Sequence, residues 1–373
     1  MKATFPLVPL RDAVKAACNV VPSRTTMDIL RNIKFTVSGE IAKLAATDSE
    51  NSIVAHVRGV ECLHSGEFLL PAAKMLAILG EIRGETVTMD CDNGKVTIKS
   101  GGAKFVIQTG NPADFPPSFE FAEENYFTVS GQSLSRMLRR TMFVCDETGS
   151  KSFALNGICL EYDLAKLTII STDTRRLSID SCDSSHTPGC DPVAHKDMVL
   201  IPKKGLPCLA SNIGVEPVDI AVTQNSVIFR TGDIALCCMR GTGRFPDFRR
   251  AVWEPASRQH SIDIPVGQFN AALRQAILTT AEESRAIEFA FKNGTMTLRA
   301  RAADVGESEI EMPISFDGDV SVRMDPNYTL QATKMMDQAQ SFTMEINDGV
   351  WMLRNPDGWR YIQMEIVLKK AAQ

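Results

Sequence analysis

The sequence has 373 residues, 44% hydrophobic and 23% charged, the balance of a well-cored globular protein of two or three domains. No run is long enough to span a bilayer, and Asp12 and Lys15 interrupt the N-terminal apolar stretch, which is not a signal-peptide layout and points to the cytosol. The formal net charge of −5 excludes a surface that is basic all over, though not a locally basic face.

The first predicted unit begins with an alternating strand at Phe5 and a helix on which Leu10, Val14, Cys18 and Val21 share a stripe. Arg11 and Lys15 lie on another face, one i,i+4 step apart. A second strand, 68–70, enters a helix past Pro71 and carries Lys74 and Arg83. A hairpin follows, 86–90 to 96–98, turning at Asn93-Gly94, where both central positions need positive φ.

The pattern then recurs. Phe127-Thr128-Val129 leads to a helix that buries Leu134, Met137, Leu138 and Met142 and shows Arg136 and Arg140. Leu200-Ile201-Pro202 enters a turn with Lys203 and Lys204, and 219–222 pairs with 227–229. In the last third, 262–264 precedes a helix with Phe269, Leu273, Arg274 and Ile277. Hairpins turn there at Asn293-Gly294 and Asp348-Gly349, and 322–324 enters a helix at Pro326, with Lys334 beyond it. A period of roughly 120 to 135 residues is the size of a small domain rather than of a solenoid repeat. Boundaries are expected near Glu123-Glu124 and Glu254-Pro255, giving domains 1–124, 125–254 and 255–373. Basic residues recurring at equivalent helices suggest a positive inner face suited to duplex DNA through phosphate contacts.

Ten scattered cysteines and no secretion signal indicate reduced thiols. Cys182, His186, Cys190 and His195 are zinc-type ligands, but their spacing matches no standard knuckle, so no metal is expected. Glu282-Glu283 reads as a solvated pair. No phosphate loop, dinucleotide fingerprint or nucleophile elbow is present, so no cofactor and no catalysis are expected.

Several motifs occur in order: Leu155-Asn156-Gly157 with Glu161, 171–177 (Ser-Thr-Asp-Thr-Arg-Arg-Leu), 201–205, and 243–250 (Gly-Arg-Phe-Pro-Asp-Phe-Arg-Arg). With Leu30-Arg31-Asn32, Ala46-Thr47-Asp48 and Asp114-Phe115-Pro116, they resemble the bacterial β sliding clamp family, the processivity subunit of DNA polymerase III. The resemblance implies an α+β fold of three tandem clamp domains, each with two helices backed by two antiparallel sheets. Such a chain forms half of a closed ring, a head-to-tail homodimer around double-stranded DNA that tethers the polymerase.

It further implies DNA contacts at Arg24 and, with the lumen-facing helices, at Arg11, Lys15, Lys74, Arg136, Arg140, Lys203 and Lys204. A groove for short peptides of polymerase, clamp loader and repair proteins is expected from two stretches. One is Leu155, Thr172, Thr174, Arg175, Arg176, Leu177, Pro246 and Arg250; the other is Val350, Met352, Ile362, Met364, Glu365, Ile366, Val367 and Leu368. Family members usually have Gly-His where Thr174-Arg175 stands, and proline where Glu365 stands. That departure leaves a paralogous repair or regulatory scaffold as the alternative reading.

Overall fold

In a computed structural model, the described residues are all but 122–124, 146–154, 164, 187–197, 254–256, 281–285, 303–304, 338–339, 348 and 367–373. Among them the fold is α+β, mostly antiparallel sheet, with helices α1 (Leu7–Cys18), α2 (Ala72–Glu81), α3 (Gly131–Met142), α4 (Leu206–Asn212), α5 (Val266–Ile277) and α6 (Pro326–Thr333). Two compact units form: Met1–Ser135 with Tyr162–Lys166 and Cys182–Gly241, and Arg136–Glu161 with Leu167–Ser181 and Thr242–Gln373.

In the first unit, strands Glu61–His64, Lys2–Pro6, Thr86–Asp92, Lys95–Ser100 and Ala103–Gln108 form one antiparallel sheet in that order. A second runs Phe127–Val129, Val218–Val222, Ser226–Thr231, Ile234–Met239, Asn51–Arg58, Ile41–Thr47, Asn32–Ser38 and Gly66–Pro71. The pairing of Ile234–Met239 with Asn51–Arg58 joins residues of the first and middle thirds in one ladder, so this unit does not stop at the end of the first repeat. The expected boundary residues Glu123, Glu124, Glu254 and Pro255 lie outside the described residues.

In the second unit, His260–Pro265, Ser341–Asn347, Val350–Arg354 and Arg360–Met364 form a sheet that continues onto Arg176–Ile179. Gly306–Pro313, Thr295–Ala302, Ile287–Lys292 and Asp319–Met324 form another. Phe269 on α5 packs edge-on to Phe342 at 5.5 Å, in a core with Phe289, Phe291, Trp351 and Tyr361. Each such fully buried large side chain contributes about 1.5–3 kcal/mol.

The expected hairpins form. Asn93 and Gly94 take φ of 47° and 72°, Asn293 and Gly294 50° and 79°. At the third turn Gly349 has φ 73°, while Asp348 lies outside the described residues. Proline stands at the predicted helix entries: Pro71 is the N-cap of α2, and Pro326 opens α6 behind Asp325, whose carboxylate accepts N–H groups of Asn327 and Tyr328. Pro202 leads first into a short 3₁₀ turn, Lys203–Gly205, and only then into α4.

Two sheets end in strands with no further neighbour among the described residues. Ala103–Gln108 ends the five-stranded sheet, with Lys104, Val106 and Gln108 exposed on one face. Gly306–Pro313 ends the four-stranded sheet and turns Glu307, Glu309 and Glu311 outward.

Candidate functional site

A cleft of about 440 Å³ opens in the second unit. One wall comes from Thr172, Thr174, Arg175 and Leu177; the segment after Pro246 supplies the other, with Phe248, Arg250 and Trp253. Val350, Ile362 and Met364 line it between them. The register explains the grouping: Leu177 pairs with Ile362, and Val350 with Met364. Alternation turns Gln363 inward at 1% exposure and leaves Met364 54% exposed. This is an apolar, open-ended trough with charge at its rim, a shape suited to an extended peptide.

The turn bearing Arg175 is fixed by side chains. The Asp173 carboxylate accepts the backbone N–H groups of Arg175 and Arg176, both at 3.0 Å. The Thr172 hydroxyl donates to the Arg176 carbonyl at 2.7 Å and accepts the Thr174 N–H at 3.1 Å. Thr174 sits at φ +77°, a region β-branched residues rarely enter. The Arg175 carbonyl accepts the Met364 N–H at 2.9 Å, tying this wall to the neighbouring strand.

The same turn is built in the first unit at Thr47–Asn51. Thr47 donates to the Asn51 carbonyl at 2.9 Å, Asp48 accepts from the N–H groups of Glu50 and Asn51, and Ser49 has φ +80°. The Glu50 carbonyl accepts the Met239 N–H at 3.0 Å. Glu50 therefore occupies the position of Arg175.

Other groove residues differ from expectation. Arg176 is buried: its guanidinium binds Asp173 at 2.9 Å and the Phe143 carbonyl at 3.1 Å, and lies 4.0 Å from the Tyr328 ring. It lines the cleft as expected, with its guanidinium engaged in bracing the wall. Leu155 and Met352 are core residues that do not line the cleft. Glu365 turns away from it, accepting the Arg323 N–H at 3.2 Å while its own N–H reaches the Gly349 carbonyl at 2.8 Å. The N–H of Ile366 bonds the Arg323 carbonyl, while Val367 and Leu368 lie outside the described residues. Phe248 and Trp253 were not anticipated, although the 243–250 motif contains the first and an isolated tryptophan just beyond it was a usable signal.

The expected DNA-facing cations divide sharply. Lys15, Arg24 and Lys74 are exposed and have no ion pair among the described residues. Arg11 instead donates to the Leu79 and Ile82 carbonyls at 2.9 and 3.4 Å, capping the end of α2. Lys203 is half-buried, and Lys204 is exposed but paired with Asp48 and Glu50, each at 3.2 Å. Arg140 is 7% exposed, 3.3 Å from Asp180 and 2.8 Å from Asp357, with its guanidinium over Trp359. Arg136 leans on the same Asp180 at 3.5 Å. Burial pushes the Asp180 carboxyl above its ordinary value, against the pull of Arg140 and Arg136. The helix face read as basic is therefore an internal ion-pair cluster, and Arg139 is the exposed cation of α3.

Of the Cys/His set, Cys182 and His186 lie on strand Arg176–His186, while Cys190 and His195 lie outside the described residues. Among the described residues no three potential ligands converge on a metal position. Glu282 and Glu283 are likewise outside them. No described helix is long and apolar enough to cross a membrane.

Family models for the DNA polymerase III beta subunit match residues 2–119, as its N-terminal domain, and 128–247, as its central domain. Together these cover more than half of the chain. The chain belongs to the β sliding clamp family. As a family member it is a sliding clamp for DNA replication, a non-catalytic processivity factor of DNA polymerase III. It is 25% identical over 321 residues to the beta sliding clamp of Pseudomonas aeruginosa, covering 85% of both chains. It is 26% identical over 351 residues to that of Pseudomonas putida, covering 91% of this chain and 92% of the relative. Among solved clamps, one from Pseudomonas aeruginosa bound to griselimycin superposes with a TM-score of 0.90 at 23% identity, covering 99% of this chain and 100% of the other. A Bacillus subtilis clamp superposes at 0.89 with 20% identity and the same coverage.

Proposed function

We propose that two copies of this chain, each of three tandem domains, close head to tail into a ring around duplex DNA in the cytoplasm. The observation that carries this reading is the pair of open sheet edges. One presents Lys104 beside Lys99 and the 55% exposed Val106. The other presents Glu307, Glu309 and Glu311, with Val305 55% exposed just before it. Thr279, directly after the 77% exposed Leu278, bonds Ser308 on that same strand, which sets a second apolar residue beside the edge. Unpaired strands recruit other strands, and opposite charge with matching apolar residues favours joining unlike edges over like ones. Each chain carries one edge of each kind, so two chains joined head to tail close on themselves with both of these edges paired.

Lys15, Arg24, Lys74 and Arg139 supply weak, sequence-independent phosphate contacts that permit sliding, while the closed ring prevents escape. The cleft takes short linear peptides of polymerase, clamp loader and repair proteins, and tethering holds the polymerase at high effective concentration near its template.

The test is retention on circular DNA. Loaded onto nicked circular plasmid, the protein stays bound, and linearising the plasmid releases it within the time of end diffusion. Equal loss from both templates, or a monomer by light scattering at micromolar concentration, overturns the ring.

A further inference from the structure

We propose that Arg175 makes the cleft selective for linear peptides that carry an aspartate or glutamate side chain beside their apolar anchors. The inference rests on the reading of the cleft as a peptide groove. Two copies of one turn provide the argument. In the first unit that turn projects Glu50, and Lys204 of the same unit meets it at 3.2 Å. In the second unit the matching position projects Arg175, exposed on the cleft wall, and no carboxylate among the described residues pairs with it. The turn is a rigid bracket that holds one charged side chain outward for a counter-charge. Its first copy is satisfied within the fold and its second is open.

The other arginines at the cleft have carboxylate partners, one buried and one at the solvent-exposed surface. Arg176 is buried against Asp173, and Arg250 pairs with Asp247 at 3.0 Å. Arg175 is the cleft arginine with no carboxylate partner among the described residues, and it lines the cleft with the apolar Met364, Val350 and Trp253. A carboxylate brought there sits against a low-dielectric wall, where the attraction exceeds that of a fully solvated pair. The Thr172 hydroxyl and Asp173 carboxylate, bonded to the turn's backbone, fix it before any ligand arrives, so little ordering opposes the contact.

The experiment uses the full-length protein and fluorescent peptides with amidated C-termini and Leu and Phe anchors, identical except for Asp or Asn at one position scanned along the peptide. At one position the Asp peptide binds on the order of 3- to 10-fold tighter in low salt, and the advantage shrinks as salt rises. Arg175→Gln abolishes the difference and Arg175→Glu reverses it, while urea unfolding midpoints equal to that of the unsubstituted protein show that the fold around the groove is intact. Equal binding of Asp and Asn peptides at every position overturns the inference and leaves the peptide reading standing. Absence of binding by every peptide overturns both. An advantage that appears only with a free C-terminal carboxylate overturns the assignment to an acidic side chain.

Discussion

Lys99 and Lys104 stand directly opposite one another on the last two strands of the five-stranded sheet, both exposed at its open edge. Like charges facing across a ladder destabilise it, and an acidic strand docked alongside relieves the repulsion. The edge Gly306–Pro313, with its three outward glutamates, has the complementary charge.

Lys104→Glu should therefore weaken dimerisation. With two interfaces per ring and about 0.2–1 kcal/mol per cross-strand pair, the dissociation constant rises on the order of 2- to 30-fold. Combining it with Glu309→Lys should recover part of the loss. Analytical ultracentrifugation measures both. An unchanged constant for the single variant removes this edge from the interface.

Arg140→Ala leaves the buried Asp180 carboxylate without its main partner and should destabilise the protein by about 3–5 kcal/mol in urea unfolding. The folded fraction should keep its DNA retention. Alanine at Lys15, Arg24 or Lys74 should do the reverse, changing stability by no more than about 0.5 kcal/mol and lowering the salt slope of DNA binding by about 1 per residue. If Arg140→Ala lowers the salt slope instead, the residue faces DNA after all.

Thr174→Gly should relieve a left-handed backbone that a β-branched side chain resists. A gain of about 1 kcal/mol corresponds to a melting midpoint about 2–4 °C higher for a unit of this size. Thr174→Ala should give little of that gain, because alanine resists positive φ as well. Differential scanning calorimetry distinguishes the two outcomes.

Burial pushes the thiols of Cys159 and Cys208 up to about 12 and that of Cys18 to about 11. In the unfolded chain each ionises near the ordinary value of about 8.5. Below that pH the thiol is neutral in both states and stability is full. Between it and the folded-state value only the unfolded state ionises, so stability falls as pH rises. Urea midpoints measured from pH 8 to 10.5 should fall more steeply for the native sequence than for Cys208→Ala. Parallel slopes count against a buried, neutral Cys208.

Local chemistry was legible in the sequence because it depends on neighbours a few residues apart. Asn-Gly turns need positive φ at adjacent positions, prolines begin helices where an N–H is dispensable, and alternation or a 3.6-residue stripe marks the buried face. These rules placed the strands, the helices and the hairpins at 93–94 and 293–294. The motif order pointed to the family, and the residues at 172–177, 246 and 362–364 identified the cleft's walls.

Side-chain direction was not legible, because it is decided by residues far away in the chain. Arg140 reads as a surface cation until Asp180, forty positions on, and Asp357 take up its guanidinium. Arg176 lines the cleft as its sequence position suggests, but Asp173, Tyr328 and Phe143 hold its guanidinium. Trp253 joined the cleft only when its own strandless segment folded beside Val350 and Met364. The sequence alone determined what each segment becomes and which family it belongs to. Only tertiary packing decided which charges are satisfied and which remain open, since a charge buried without a partner is too unfavourable to persist and every nearby counter-charge is recruited to it.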